Sequence, residues 1–187
     1  ADVREVARAI GTDSRIGSKF LDAGPGFGGS CFKKDILNLV YICNHYGLKE
    51  VSAYWQKVVD INTWQINRIS EIVVRKLFGT ITEKKIAILG FAFKANTNDT
   101  RESPAINLCL NLLEEGCYLN IYDPKVNKQK ITEELNNPQV NKQNIIYKEE
   151  NFKYSYSVYE AFEGVDAIIV MTEWEEFRKI NWQKAFE

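Results

Sequence analysis

Lys85-Ile86-Ala87-Ile88-Leu89-Gly90-Phe91-Ala92-Phe93 decides the fold class of this chain. It is an almost continuous apolar run, the pattern of a strand buried on both faces, and it reads as one strand over residues 85–93. Ser103-Pro104 then supplies an N-cap and an N1 proline for a helix that ends near Gly116. Tyr118 to Tyr122 reads as the next strand, closed by Asp123-Pro124. A polar segment, residues 125–153, precedes a helix at Val158 to Phe162 and a strand at Ala167 to Thr172. Strands alternating with helices imply an α/β unit with a parallel, Rossmann-like sheet over residues 80–187. After Gly90 no GxGxxG follows, so NAD pyrophosphate is not assigned to this sheet. Lys94, Asn96 and Arg101, in the crevice beyond the strand ends, remain candidates for another anionic group.

Upstream, the pattern changes at Gly79-Thr80-Ile81-Thr82-Glu83-Lys84. Residues 1–79 read as a helical unit. Asp2 caps a short amphipathic helix in which Val3, Val6, Ala7 and Ile10 share a face, and Gly11 ends it. Leu21 to Ser30 holds four glycines, so this backbone must turn sharply or approach something closely. Ser30 is the expected N-cap of a helix from Cys31 to Tyr46, stopped by Gly47. A second helix is expected from Lys49 to Phe78, with apolar faces built by Val51, Tyr54, Trp55, Val58, Val59, Ile66, Ile69, Ile72, Val73 and Leu77. It would be about 45 Å long, the length of a connector between domains or subunits.

Composition narrows the class. With 187 residues, 45% hydrophobic and 12% aromatic, the chain can bury a real core. Its 24 Lys+Arg against 25 Asp+Glu leave no excess to favour a nucleic-acid or membrane partner. No run is long and apolar enough to span a bilayer, and Ala1 to Ile10 lacks a signal peptide's apolar core, so a cytoplasmic setting is expected. Cys31, Cys43, Cys109 and Cys117 form no CxxC pair and only His45 joins them, so free thiols and no metal are expected. Asn98-Asp99-Thr100 matches a glycosylation sequon but reads as a polar loop. The chain begins on one helical pattern without methionine and stops inside another at Asn181 to Glu187, as an excised fragment would.

Cys31 carries the strongest chemistry. In the first turn of its helix, unpaired N–H groups, the macrodipole, Lys33 and Lys34 all favour thiolate over thiol. Flanking glycines leave a slot for a substrate carbon. Asp35, one turn further, is placed to orient a lysine or a water. Spacing alone leaves a second reading open, in which Cys31 merely packs and Asp35 is first-turn capping chemistry. Lys94, Arg101 and Arg15, the last in the turn Asp13 to Gly17, suit phosphate or sugar, with solvated charge as their alternative.

Gly26 to Asp35, with the string Gly-Gly-Ser-Cys-Phe-Lys-Lys-Asp at its end, resembles the active-site signature of the UDP-glucose 6-dehydrogenase family. Gly90 to Lys94 and Asp99 to Ser103 resemble a second signature, and the likeness extends from Ile10-Gly11 through Tyr122-Asp123-Pro124 to Met171-Thr172-Glu173-Trp174. The resemblance implies a helical central domain with a long connecting helix at 1–79, and a UDP-sugar-binding Rossmann-like domain at 80–187, truncated at its C-terminus. It implies NAD-dependent, four-electron oxidation of UDP-glucose to UDP-glucuronate, with Cys31 as nucleophile and Asp35 placing or activating water. Asp22, Ala23, Gly24, Pro25, Gly26, Phe27 and Gly28 would wrap the sugar nucleotide, Asp22 through its backbone only because some relatives carry a basic residue there. Phe93 and Lys94 would complete the sugar site, and Arg15 would reach a neighbouring subunit's substrate. Cys31, Phe32, Lys33, Lys34 and Arg101 would face NAD. The family's N-terminal NAD domain and a late substrate-binding arginine lie outside this sequence, so the fragment alone is expected to be inactive.

Two rivals stand beside this reading. Sister enzymes acting on GDP-mannose or UDP-N-acetylmannosamine share the cysteine, although Phe32-Lys33-Lys34-Asp35 is associated with the UDP-glucose branch. A nonenzymatic helical assembly module would explain the long helix, whose Tyr54, Trp55, Trp64 and Ile66 exceed what one face can bury and point to a homo-oligomer.

Overall fold

A computed structural model describes residues 2–185. Helix α1, Val3–Gly11, is capped by the Asp2 side chain, which accepts from the Arg4 N–H, and Thr12 follows as its C-cap. Helices α2, Phe32–His45, and α3, Lys49–Lys76, form a hairpin turned by Gly47 at φ +73°. The 28 residues of α3 make a rod about 42 Å long. Its buried positions are Ser52, Val59, Ile66 and Val73, seven residues apart. Two turns separate each pair, so they fall on one stripe and the helix buries a single side along its whole length.

The sheet holds β1, Lys85–Leu89, β2, Tyr118–Tyr122, β3, Phe152–Tyr154, and β4, Ala167–Val170, all parallel in the order β3-β2-β1-β4. Central β1 is wholly buried from Ile86 to Leu89, as its unbroken apolar run requires. Helix α4, Pro104–Glu114, packs against the sheet and against the last turns of α3; Asn111 donates to Ser70 Oγ at 3.0 Å. Val73 of α3 belongs to the same core as β1 and α4. The long helix therefore connects the two halves by packing as well as by sequence.

Several sequence-based boundaries need correction. The strand expected over 85–93 ends at Leu89, because Gly90 turns at φ +93° with Thr172 pressed where a Cβ would stand, 2.5 Å away. Helix α3 stops before Phe78, since Phe78 and Gly79 adopt φ of +65° and +90°. The strand expected to reach Thr172 ends at Val170. The polar segment 125–153 contains α5, Lys128–Leu135, and opens into β3; Ile131 and Leu135 alone reach the core, too few apolar positions for periodicity to reveal the helix. Short helices α6, Val158–Ala161, α7, Glu175–Arg178, and α8, Trp182–Ala185, complete the chain. No helix among the described residues is long and apolar enough to cross a membrane.

Candidate active site around Cys31

Cys31 occupies the N-cap position of α2, a correction to the expectation that Ser30 caps this helix. Ser30 makes no cap hydrogen bond; its hydroxyl instead lies 3.6 Å from the Cys31 sulfur. The Cys31 carbonyl accepts the Asp35 N–H at 2.9 Å, so the sulfur sits at the mouth of a 14-residue helix whose first N–H groups have no intrahelical acceptor. Of the four cysteines Cys31 alone is exposed. Cys43, Cys109 and Cys117 are buried, and burial pushes the Cys117 thiol up to about 12, helped by the charges of Glu115 and Asp166. Burial drives Cys109 upward as well.

The glycines before Cys31 are there because neighbouring atoms, backbone at Gly28 and an aromatic ring at Gly29, occupy the space of a side chain. A Cβ on Gly28 would come within 2.4 Å of the Glu102 carbonyl, and one on Gly29 within 3.0 Å of the Phe93 ring. Gly29 N–H donates to the Arg101 carbonyl at 2.8 Å. The cysteine loop thus leans directly on Phe93 and on the segment 99–103. Phe93 N–H in turn donates to the Asp99 carbonyl at 3.0 Å. Two stretches singled out separately in the sequence meet through backbone.

On the other side the loop lies on α3. Asn62 accepts from the Phe27 N–H at 2.8 Å and donates to the Phe27 carbonyl at 3.0 Å, while Gln65 donates to the Gly24 carbonyl at 3.1 Å. Phe27 meets Phe32 edge to face at 4.7 Å. Neither Asn62 nor Gln65 stood out in the sequence, because α3 reads as a set of apolar faces; polar residues three apart beside buried Ile66 were the available signal.

The cations are distributed differently from expectation. Lys33 is ion-paired with Glu102 at 2.8 Å, although spacing assigned it to the sulfur. Arg101 grips Asp99 at 2.7 Å. That hydrogen bond first, then the charge of Asp99, raises the Arg101 guanidinium above its ordinary value, against a smaller opposing effect of burial. The Arg101 backbone meets the loop two residues before the sulfur, at Gly29. Lys34 and Asp35 are exposed on the first turn of α2, and Lys94 is exposed with its ammonium 5.3 Å from the Phe93 ring centroid. Asp22, Ala23 and Gly24 are exposed, whereas Pro25 to Gly28 are half-buried. Arg15 stands apart: its guanidinium is paired with Asp13 in the same turn, at 2.6 Å. No group of three or more His, Cys, Asp or Glu residues able to hold a metal occurs among the described residues.

Buried Asp123 braces the crevice beyond β1. Its Oδ2 accepts from Phe91 N–H at 2.7 Å, Ala92 N–H at 3.0 Å and the Trp174 indole at 3.2 Å, and its Oδ1 accepts from Lys125 and Val126 N–H. Thr172 donates to the Ala92 carbonyl at 2.7 Å. The sequence offered Asp123-Pro124 and Thr172-Glu173-Trp174 as strand ends; together they fix the loop that delivers Phe93 and Lys94. The two N–H groups that a dinucleotide cradle would offer to phosphate are held by this carboxylate.

Known proteins are similar to this chain in sequence and in fold. Residues 1–64 match the central-domain model, and residues 87–187 the UDP binding domain model, of the UDP-glucose/GDP-mannose dehydrogenase family. Over its full length the chain is 51% identical to a UDP-glucose 6-dehydrogenase of Drosophila melanogaster, of which it spans 39%, and over 98% of its length it is 50% identical to one of Gallus gallus, of which it spans 37%. The solved UDP-glucose dehydrogenase of Pyrobaculum islandicum superposes with a TM-score of 0.80 at 28% identity, over 96% of this chain and 38% of that one. With the cysteine loop and the parallel sheet both falling inside the matched regions, the chain belongs to the UDP-glucose/GDP-mannose dehydrogenase family.

Proposed function

We propose that this chain supplies the nucleophile and much of the sugar-nucleotide platform of an NAD-dependent UDP-glucose 6-dehydrogenase. One observation carries the proposal: the sole exposed cysteine caps α2 at the end of a glycine loop that is clamped between α3 and the Phe93–Glu102 segment. In this reading C6 of the sugar passes from alcohol to aldehyde, and the Cys31 thiolate adds to the aldehyde carbon, giving a thiohemiacetal. A second oxidation converts it to a thioester. Water, placed or activated by Asp35, then cleaves the thioester, returning the thiolate and releasing a carboxylate. Arg101 and the N-terminus of α2 hold negative charge at the sulfur. The loop 22–28, Phe93 and Lys94 hold the sugar nucleotide, and Arg15, which lies away from Cys31's contacts, serves a neighbouring subunit.

NAD, when bound, would supply the hydride acceptor, two molecules in turn each taking one of the two hydrides that leave C6. Phe32, Lys33, Lys34 and Arg101 fit one side of such a site, being gathered at the mouth of α2. The cradle for its pyrophosphate is not formed by the described residues, because Asp123 holds the β1 loop N–H groups. The test is an assay of the full-length protein with UDP-glucose, GDP-mannose and UDP-N-acetylmannosamine. UDP-glucose should be preferred, with two NAD reduced for each sugar; preference for another sugar, or one NAD for each, would reject the assignment.

The reading of this chain as part of a homo-oligomer is supported by α3. Tyr54, Ile61 and Trp64 are exposed by 66%, 62% and 58%, and Trp55 is half-buried, whereas Ile66, expected to join them, is turned inward beside Gly26. The proposed homo-oligomer packs this exposed face against its copy, a two-fold contact being the commonest solution. Light scattering of the full-length protein should give a multiple of the protomer mass; a concentration-independent monomer would refute it.

A further inference from the structure

The loop Leu21–Ser30 has no regular structure, so its backbone groups need partners from elsewhere in the chain. Asn62 provides two of them at one residue. A single carboxamide meets both the N–H and the C=O of Phe27, at 2.8 and 3.0 Å, as a neighbouring strand would in a sheet. Three residues further along α3, Gln65 holds the Gly24 carbonyl. Between these anchors Gly26 has φ +129°, and a Cβ there would lie 2.8 Å from Ile66 Cγ1 and 2.9 Å from Asn62 Oδ1. The loop lies flat on the helix because residue 26 has no side chain and residue 62 has both a donor and an acceptor.

We propose that Asn62 is the positioning residue of this loop, setting the Phe27 backbone and, through it, the sugar-nucleotide site and the approach to Cys31. The inference rests on the function proposed above. Among the described residues the Asn62 side chain hydrogen-bonds to Phe27, and to neither the sulfur nor the Phe93–Glu102 segment; it acts through Phe27, whose ring meets Phe32 at the start of α2. The chemistry is specific to asparagine. Aspartate would keep the acceptor but turn a second oxygen onto the Phe27 carbonyl. Alanine would leave both groups of Phe27 unpaired, and glutamine is one methylene too long for the same bidentate contact.

The full-length protein and its Asn62→Ala, Asn62→Asp and Gln65→Ala variants test the proposal by hydrogen exchange of the peptide spanning residues 21–31 and by steady-state kinetics with UDP-glucose. In Asn62→Ala the peptide should exchange about tenfold faster, and KM should rise about tenfold or more while kcat falls less. Asn62→Asp, although isosteric, should be no better than alanine. Gln65→Ala, losing one exposed bond, should move both readouts in the same direction by less, and it stands in should the Asn62 variants not fold. Unchanged exchange in a folded Asn62→Ala protein overturns the clamp. Faster exchange with an unchanged KM in an active enzyme overturns the positioning role. If the wild-type protein oxidises no nucleotide sugar, the proposed function falls, and the exchange measurement still decides the clamp.

Discussion

Replacing Cys31 by serine in the full-length protein lowers kcat for UDP-glucose by a factor on the order of a thousand or more. The two side chains are nearly isosteric, so folding is preserved and the loss is chemical. A hydroxyl at this position ionises far less readily than a thiol even at a helix mouth with Arg101 nearby, so attack on the aldehyde is slow. Any ester that does form leaves as an alkoxide, a poorer leaving group than a thiolate, so the variant should trap substrate covalently. Mass spectrometry of the variant after incubation with UDP-glucose and NAD checks the second point. The three remaining cysteines are buried and cannot substitute. UDP-glucuronate formed at the normal rate by the serine variant would remove Cys31 from its role.

The second large effect is on stability. Asp123→Ala strips a common acceptor from five N–H groups, three of them in the buried region where Phe91, Ala92 and Trp174 meet. Donors left without partners away from water cost more than the bonds themselves contributed, so the variant should lose about 3 kcal/mol or more. Asn at this position is no remedy. Both carboxylate oxygens are occupied by donors, and either orientation of an amide points its NH2 group at N–H groups. Denaturant titration of wild type, Asp123→Ala and Asp123→Asn measures this. A midpoint displaced by less than about 1 kcal/mol in equivalent stability would show that water replaces the carboxylate at no cost. Because the same N–H groups shape the loop carrying Phe93 and Lys94, folded variants should also bind the sugar nucleotide more weakly.

The parts of this molecule that were legible in the sequence are those governed by local rules. Asp2 capping α1, Ser103-Pro104 opening α4, and Gly47 ending the α2 turn all act within a few residues, and each stands where spacing put it. The buried core of β1 was equally plain, because both of its faces are covered. What stayed hidden depends on contacts far apart in sequence. Lys33 looked like a partner for Cys31 until Glu102, 69 residues away, was found holding it. The end of β1 is set by Thr172, and the clamp on Phe27 by a helix 35 residues downstream. Helix α5 escaped because its exposed surface is polar and its Glu134 faces inward to accept the Thr100 hydroxyl at 2.5 Å, a pairing no periodicity encodes.

Helix α3 contains neither glycine nor proline across its 28 residues, and it touches the cysteine loop through Asn62 and Gln65, α4 through Ser70, and the core shared with the sheet through Val73. Mechanically it is a strut of fixed length joining the two. The spacing between Phe27 and the sheet cannot be stretched without breaking helical hydrogen bonds, and rotating the strut about its axis would swing the Trp64 face and the Phe27 anchor together. The sulfur is already open to solvent, so what the strut contributes is a fixed baseline: it sets how far the Phe27 anchor stands from the sheet without covering Cys31.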